Sequence, residues 1–231
     1  MTQPYDFDAV PEHVRSFDKG PPLFVPAYEE SHTMAATVLS DRIGNQAQLL
    51  VVGAGGGIEI ARFARQFPRW RFTGVDPSRA MLDLASARLN DEAVGTEWTL
   101  VQGTAADAPD GPFDAATAFL CLSFVPDDGA RLAQLRAIHQ RLKPGAPFLM
   151  IHAASKTEHL ERDFARFAQH ALLRGADADL VNTAVSVNRQ SINILTPERE
   201  AELLEQAGFR LDGIFYCGLR IHGWEATARA S

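Results

Sequence analysis

Gln48-Leu49-Leu50-Val51-Val52-Gly53-Ala54-Gly55-Gly56-Gly57-Ile58-Glu59 runs from a short apolar segment straight into four glycines within five residues. The apolar part has the composition of a buried parallel strand. Ile60, Phe63, Ala64 and Phe67 then recur at helical spacing, so a helix follows, closed by Pro68. Glycines at such a junction let the backbone turn sharply and let a ligand approach where a Cβ would stand in the way. The helix behind them offers free N–H groups. Spacing narrows the ligand. A dinucleotide fingerprint wants glycines at 53, 55 and 58, and position 58 is Ile. A P-loop would close on Gly-Lys-Ser/Thr, which is absent. What remains is G-x-G-x-G at 53, 55 and 57.

Further along, Arg71-Phe72-Thr73-Gly74-Val75 reads as a second strand ending at Asp76, and Pro77 and Ser78 open a helix carrying Leu82, Ala85 and Leu89 on one face. Asp76 has two readings. A carboxylate at a strand end beside a glycine loop can accept both hydroxyls of a ribose. Asp-Pro-Ser is also a good helix cap. Glu97 to Val101, Phe113 to Leu120 and Pro147 to Ile151 read as three more strands. Leu132, Leu135, Ile138 and Leu142 stripe a helix for which Asp127 is a candidate cap, and Lys143-Pro144-Gly145 is a turn. The stretch from Gln102 to Pro112 has no helical stripe and reads as loop. Alternating strands and helices imply a parallel α/β sheet with helices on both faces.

Near the end, Thr196 is placed to cap a helix beginning at Pro197, with Gly208 closing it. Arg210–Cys217 and Leu219–Ala228 follow closely enough to pair as an antiparallel hairpin. Two regions lie outside this frame. Residues 1–45 hold Tyr5, Phe7, Phe17, Phe24 and Tyr28, then a helical stretch from about Glu29 to Asp41. Residues 156–190 hold the helical stripe Leu160, Phe164, Phe167, Ala171, and Leu180, Ala184 and Val187 suggest a second helix past Gly175. Both are candidates for a lid over the carboxyl edge of the sheet.

With these segments in order, the chain from about Leu49 to Ala228 resembles the class I S-adenosylmethionine (SAM) dependent methyltransferases. Val52 through Gly57 looks like the family's first motif and Gly74-Val75-Asp76-Pro77-Ser78 like its second. Gln102-Gly103-Thr104-Ala105 occupies the adenine-side loop, Phe113 to Pro126 looks like the fourth-strand motif, and Leu142-Lys143-Pro144-Gly145 is similar to the turn before strand five. The resemblance implies a doubly wound, mostly parallel seven-stranded Rossmann-like sheet with an antiparallel last strand. It implies an N-terminal helical lid over residues 1–45 and a SAM-binding domain over 46–231 with a helical insertion after strand five. It also implies that Tyr28, Gly53, Ala54, Gly55, Asp76, Pro77, Met81, Gly103, Thr104, Ala105 and Phe119 hold the cofactor. Val25-Pro26-Ala27-Tyr28 and the end from Glu202 through Gly208-Phe209 to Gly223-Trp224 look like the branch containing carboxy-SAM synthase, a tRNA-modification enzyme. That branch carries an arginine where this chain reads Glu202-Leu203-Leu204-Glu205, so ordinary SAM is the expected cofactor. Two positions depart from the wider family: Val51 stands where an acid is usual, and Thr104 where Asp is frequent.

Methyl transfer from a sulfonium is an in-line displacement in which position and approach angle matter most, and a base is needed only where the acceptor must lose a proton. His152, directly after strand five, is the candidate base, with His32 second. His139 is expected on a solvated face. No HExxH or other tight ligand spacing exists, so no metal is expected. Phe24, Phe119, Phe124, Tyr216 and Trp224 are candidates to wall an acceptor pocket. Cys121 and Cys217 read as buried free thiols.

Charge bears on the acceptor. Lys and Arg number 22 against 29 Asp and Glu, a net charge of −7. An acidic chain makes a poor polyanion binder, so the expected partner is a small-molecule methyl acceptor rather than nucleic acid. Arg162, Arg166 and Arg174 are the hint of a basic groove that a tRNA-modifying alternative needs. A non-catalytic SAM- or nucleotide-binding protein is the other alternative, motivated by Val51 and Thr104. The amino terminus lacks the basic and apolar regions of a secretory signal. The longest apolar stretch falls well short of the roughly 18 residues of a membrane span. The expected location is therefore the cytoplasm, and a homodimer is compatible with the reading.

Overall fold

The structure, a computed structural model, describes residues 8–9, 19–92 and 95–230. Tyr5, Phe7 and Phe17, singled out above, lie outside the described residues. Among the described residues, the helices Gly20–Phe24 (α1) and Tyr28–Ile43 (α2) precede the sheet. Then follow Gln48–Val52 (β1), Ile58–Gln66 (α3), Arg71–Asp76 (β2), Arg79–Glu92 (α4), Trp98–Gln102 (β3), Ala115–Phe119 (β4), Ala130–Gln140 (α5) and Pro147–Ala153 (β5). The inserted helices are Leu160–Leu173 (α6) and Ala178–Ser191 (α7); Pro197–Gln206 (α8), Phe209–Gly218 (β6) and Ile221–Ala228 (β7) complete the chain.

The seven strands lie in the order β3-β2-β1-β4-β5-β7-β6. Pairings among β1 to β5 are parallel, and β7 runs antiparallel between β5 and β6. The chain winds outward from β1 to β3, then returns to place β4 on the other side of β1. That reversal opens a crevice at the carboxyl ends of β1 and β4, where α/β sheets bind ligands. Strand alternation divides the core into two layers. Leu49 and Val51 face α2 and α3 with Ile60, Phe63 and Trp70. Leu50 and Val52 face the other side with Leu135, Ile138, Leu203 and Phe209. Cover on both faces is why β1 is apolar at every position but its first. A smaller cluster of Phe24, Phe167, Ala171, Ala176 and Val181 joins α1 to the insertion. No helix among the described residues is long and apolar enough to cross a membrane.

Several details differ from the sequence reading. The fourth strand is shorter than Phe113–Leu120, because Leu120 turns to φ 57°. Asp127 does not cap α5: its carboxylate takes the Arg199 guanidinium at 2.8 and 3.2 Å, and Asp128 accepts from Ala130 N instead. In α7 the buried apolar position is Val181, while Leu180 is exposed. His139 is not simply solvated, since its ring meets Phe209 edge-on at 5.2 Å. Cys217 is exposed and Cys121 half-buried, because Cys217 lies on the outward face of the edge strand β6.

Candidate functional site

A cavity of about 400 Å³ opens at the carboxyl ends of β1, β2, β4 and β5, bounded there by Val52, Asp76, Phe119 and Ala153. Its floor is the glycine loop. Gly53 N and Ala54 N both donate to Val75 O, at 2.8 and 2.9 Å, and Gly55 N donates to Asp76 Oδ2 at 2.9 Å. Three successive N–H groups thus tie the loop to the end of β2. Gly53 has φ 70°, and a Cβ there would sit 2.3 Å from Cys121 Cβ. Only glycine fits this turn without displacing Cys121.

Asp76 lines the cavity with its second oxygen accepting from Ser78 N at 2.9 Å. It caps the turn into α4 and also faces the cavity, while Asp8 caps α4 itself through Ser78 Oγ and Ala80 N. Burial raises the Asp76 carboxyl above its usual range, opposed by the hydrogen bonds from Ser78 and Gly55.

Sequence reasoning missed Glu59. It sits in the first turn of α3, is 7% exposed, and lines the cavity. Thr117 Oγ1, itself fully buried on β4, donates to it. Burial pushes the Glu59 carboxyl up to about 8, with the Thr117 hydrogen bond opposing. Thr117 is the register partner of Val51. The chain thus lacks an acid on β1 but brings one from the neighbouring helix to the adjoining strand.

The far wall comes from outside the sheet frame. Phe24 of α1 stacks on Phe167 of α6 with centroids 4.9 Å apart, and both line the cavity. Tyr28, Ser31 and His32 of α2 line it as well. His32 Nδ1 lies 2.8 Å from Tyr28 O. A carbonyl only accepts, so Nδ1 carries the hydrogen and Nε2 keeps its lone pair. Burial lowers the His32 pKa to about 4, leaving the ring neutral at pH 7.

Of the expected cofactor residues, Tyr28, Gly53, Ala54, Gly55, Asp76, Pro77, Met81, Gly103, Thr104 and Phe119 line this one cavity. Ala105 does not. It is buried in the core beside α5, where its N–H donates to Gln134 Oε1, and Gln134 lines the cavity in its place. Thr104 is engaged locally, because it and Asp107 form a reciprocal cap on residues 105–107. Phe24, Phe119 and Phe124 line the cavity, whereas Tyr216 and Trp224 are buried elsewhere.

His152 is the main correction. It is fully buried and does not line the cavity. Its Nε2 lies 3.0 Å from Glu200 Oε1, and its ring lies 5.1 Å from that of Trp224. Glu200 also receives Arg131 Nη1 at 2.5 Å. Arg131 continues to Val125 O, Ser123 O and Asn193 O. Burial pushes the Glu200 carboxyl up, but His152 and Arg131 outweigh it and hold the group below its usual range. This buried network fixes the loop after β4, whose Ser123 and Val125 do line the cavity.

Residues 50–148, somewhat under half of the chain, match the family model described as a methyltransferase domain. A demethylmenaquinone methyltransferase from Lactobacillus johnsonii is 28% identical over 179 residues, covering 74% of this chain and 70% of that protein. A ubiquinone/menaquinone biosynthesis C-methyltransferase from Desulfotalea psychrophila is 28% identical over 120 residues, covering 52% and 47%. The solved structure of an O-methyltransferase family protein from Burkholderia thailandensis superimposes with a TM-score of 0.68 at 15% identity, covering 100% of this chain and 65% of that one. At that identity the likeness speaks for the fold. The chain spans about half of the Desulfotalea protein and just under two thirds of the Burkholderia one. None of these matches lends specific support to the carboxy-SAM synthase branch. The matched segment and the curated relatives make the chain similar to methyltransferases, and the solved structure shares its fold.

Proposed function

We propose that the protein transfers a methyl group from SAM to a small-molecule acceptor held in the same cavity. The observation that carries this reading is continuity: one cavity runs from Asp76 and the glycine loop to the Phe24–Phe167 wall. The residues present suit the cofactor. The glycine loop is a cradle that a Cβ at Gly53 would block. Asp76 presents a carboxylate for ribose hydroxyls, and Glu59 a buried carboxyl, protonated below about pH 8 in the free protein, that would ionise against a cationic amino group. Met81, Gly103 and Thr104 line the part of the cavity in which this reading would seat the adenine. When bound, SAM supplies an activated methyl on a sulfonium whose departure leaves a neutral sulfide.

The chain's own part is position and exclusion of water. Phe24, Phe119 and Phe167 give the acceptor an apolar bed. The curated relatives are named for quinone substrates, which fits an acceptor with an apolar body. His32, in place of His152, is the group that accepts a hydrogen bond from the acceptor through Nε2, and its lowered pKa suits it to orienting the acceptor rather than taking its proton. Against the tRNA alternative, Arg162 and Arg166 both lie within 4.0 Å of Asp163 and spend charge there. The test is titration with SAM. Binding heat and a thermal shift are expected, and the absence of both at sub-millimolar SAM overturns the reading. Incubation with SAM and a panel of hydroxylated and carbon acceptors should then release S-adenosylhomocysteine.

A further inference from the structure

Arg220 lies in the turn between β6 and β7, is 3% exposed, and lines the cavity. Its carbonyl accepts from Ala154 N at 2.8 Å, which pins the turn to the end of β5. The guanidinium carbon lies 4.5 Å from the Phe164 ring centre and 4.2 Å from that of Phe167. Nη2 donates to Asn188 Oδ1 at 2.7 Å, and Asn188 is itself oriented by donating to Ala184 O. Among the described residues, Nε and Nη1 are buried and have no hydrogen-bond partner.

A buried cation with two idle donors is expensive unless something completes it. The acidic group that acts on it, Asp163, holds Ser155 at 2.8 Å and Arg162 at 2.9 Å rather than Arg220. Arg189, which acts in the opposite direction, is clamped by Glu161. Burial draws the Arg220 pKa down to about 10, so the group still carries its charge at neutral pH. Asn188 uses one hydrogen of Nη2. At least one two-donor edge of the guanidinium therefore stays complete, and that edge matches the two oxygens of a carboxylate.

Position assigns the edge to acceptor rather than cofactor. From β1, whose loop would underlie the cofactor, the sheet passes through β4 and β5 to reach β7. Three strand spacings amount to about 14 Å. The residues around Arg220 on the cavity wall are Phe167, Ala184, Asn188 and Ile221, which belong to the insertion and the hairpin. Arg220 is also the one Lys or Arg among the described residues lining the cavity, and the lining acids, Asp76 and Glu59, lie at the glycine-loop end rather than beside it.

We infer that Arg220 is the anion-recognition residue of the acceptor site and that the acceptor is a small molecule with an apolar body and a carboxylate. The word acceptor rests on the methyl-transfer reading, whereas the anion site does not. The experiment is calorimetric titration of the full chain with two matched pairs, benzoate against benzamide and hexanoate against hexanamide. Within at least one pair the carboxylate is expected to bind about tenfold more tightly than its amide. Arg220→Gln should erase that preference, and Arg220→Lys, which keeps the charge but not the two-donor edge, should retain part of it. Equal binding within both pairs, no binding by any probe, or a preference that survives Arg220→Gln overturns the proposal. The wild-type comparison stands even where a variant fails to fold. S-adenosylhomocysteine titrated into the same samples reads the cofactor site separately. Its failure to bind beside an intact carboxylate preference removes methyl transfer and keeps the anion site. Its binding without that preference does the reverse.

Discussion

Glu59 of α3 accepts a hydrogen bond from Thr117 of β4, and Thr117 stands directly beside Val51 in the sheet register. The acid missing from β1 is thus replaced by one arriving from a helix at nearly the same place. If this carboxylate receives the amino group of SAM, Glu59→Gln should weaken SAM binding by about tenfold to a hundredfold, the range of a hydrogen bond to a charged group. Thr117→Val, which removes the orienting hydroxyl but keeps the carboxyl group, should weaken it less. Calorimetric titration of the two variants checks the order, and equal affinity in Glu59→Gln and wild type would remove Glu59 from the site.

The same residue sets a pH dependence of stability. In the unfolded chain its carboxyl ionises near 4.5, whereas in the fold it keeps its proton up to about 8. Between these values the native state binds more protons than the unfolded one, so stability falls as pH rises. The slope for one proton is about 1.4 kcal/mol per pH unit. His32, drawn down from 6.5 to about 4, has the opposite sign, but its contribution is complete above pH 6.5. Denaturant unfolding from pH 6.5 to 8 should therefore show wild-type stability declining and Glu59→Gln declining less. Parallel curves would refute the assignment.

Local signals were legible in the chain and face-dependent ones were not. The glycine loop, Asp76 and the Thr196 cap each depend on a few adjacent residues, and each stands where spacing placed it. His152 was legible only as the end of β5. Side chains alternate along a strand, so Ile151 and Ala153 reach the cavity while His152 points to the opposite layer and meets Glu200. Glu59 and Arg220 escaped for a related reason. Their value lies in which element faces them, Thr117 fifty-eight residues away and Asn188 thirty-two residues away, and neither spacing is a motif.

The Arg131–Glu200–His152 network predicts a stability effect separate from chemistry. Removing the carboxylate by Glu200→Ala leaves a buried guanidinium without its ion partner, which costs about 3–5 kcal/mol. Replacing both partners, as in Arg131→Met with Glu200→Leu, should recover part of that loss because no uncompensated charge remains. Equilibrium unfolding of the single and double variants measures this. A Glu200→Ala cost below about 1 kcal/mol would mean that the network holds little of the fold.

Gly53 permits a cleaner dissection, because its two constraints come apart by mutation. An alanine there meets Cys121 Cβ at 2.3 Å and Sγ at 2.7 Å, and it must also hold φ 70°. Cys121→Gly removes the first conflict and leaves the second untouched. The left-handed backbone alone costs a non-glycine residue about 1–2 kcal/mol. Gly53→Ala should therefore be destabilised by more than that amount, and Gly53→Ala with Cys121→Gly should return to about that amount relative to Cys121→Gly alone. The coupling in the double-mutant cycle isolates the clash. SAM affinity should follow a different course, staying low in both Gly53→Ala variants, since the added methyl narrows the cradle whether or not Cys121 has gone. If affinity recovered along with stability, the loop would be acting through the order of its backbone, and the close approach of a ligand to Gly53 would have to be given up.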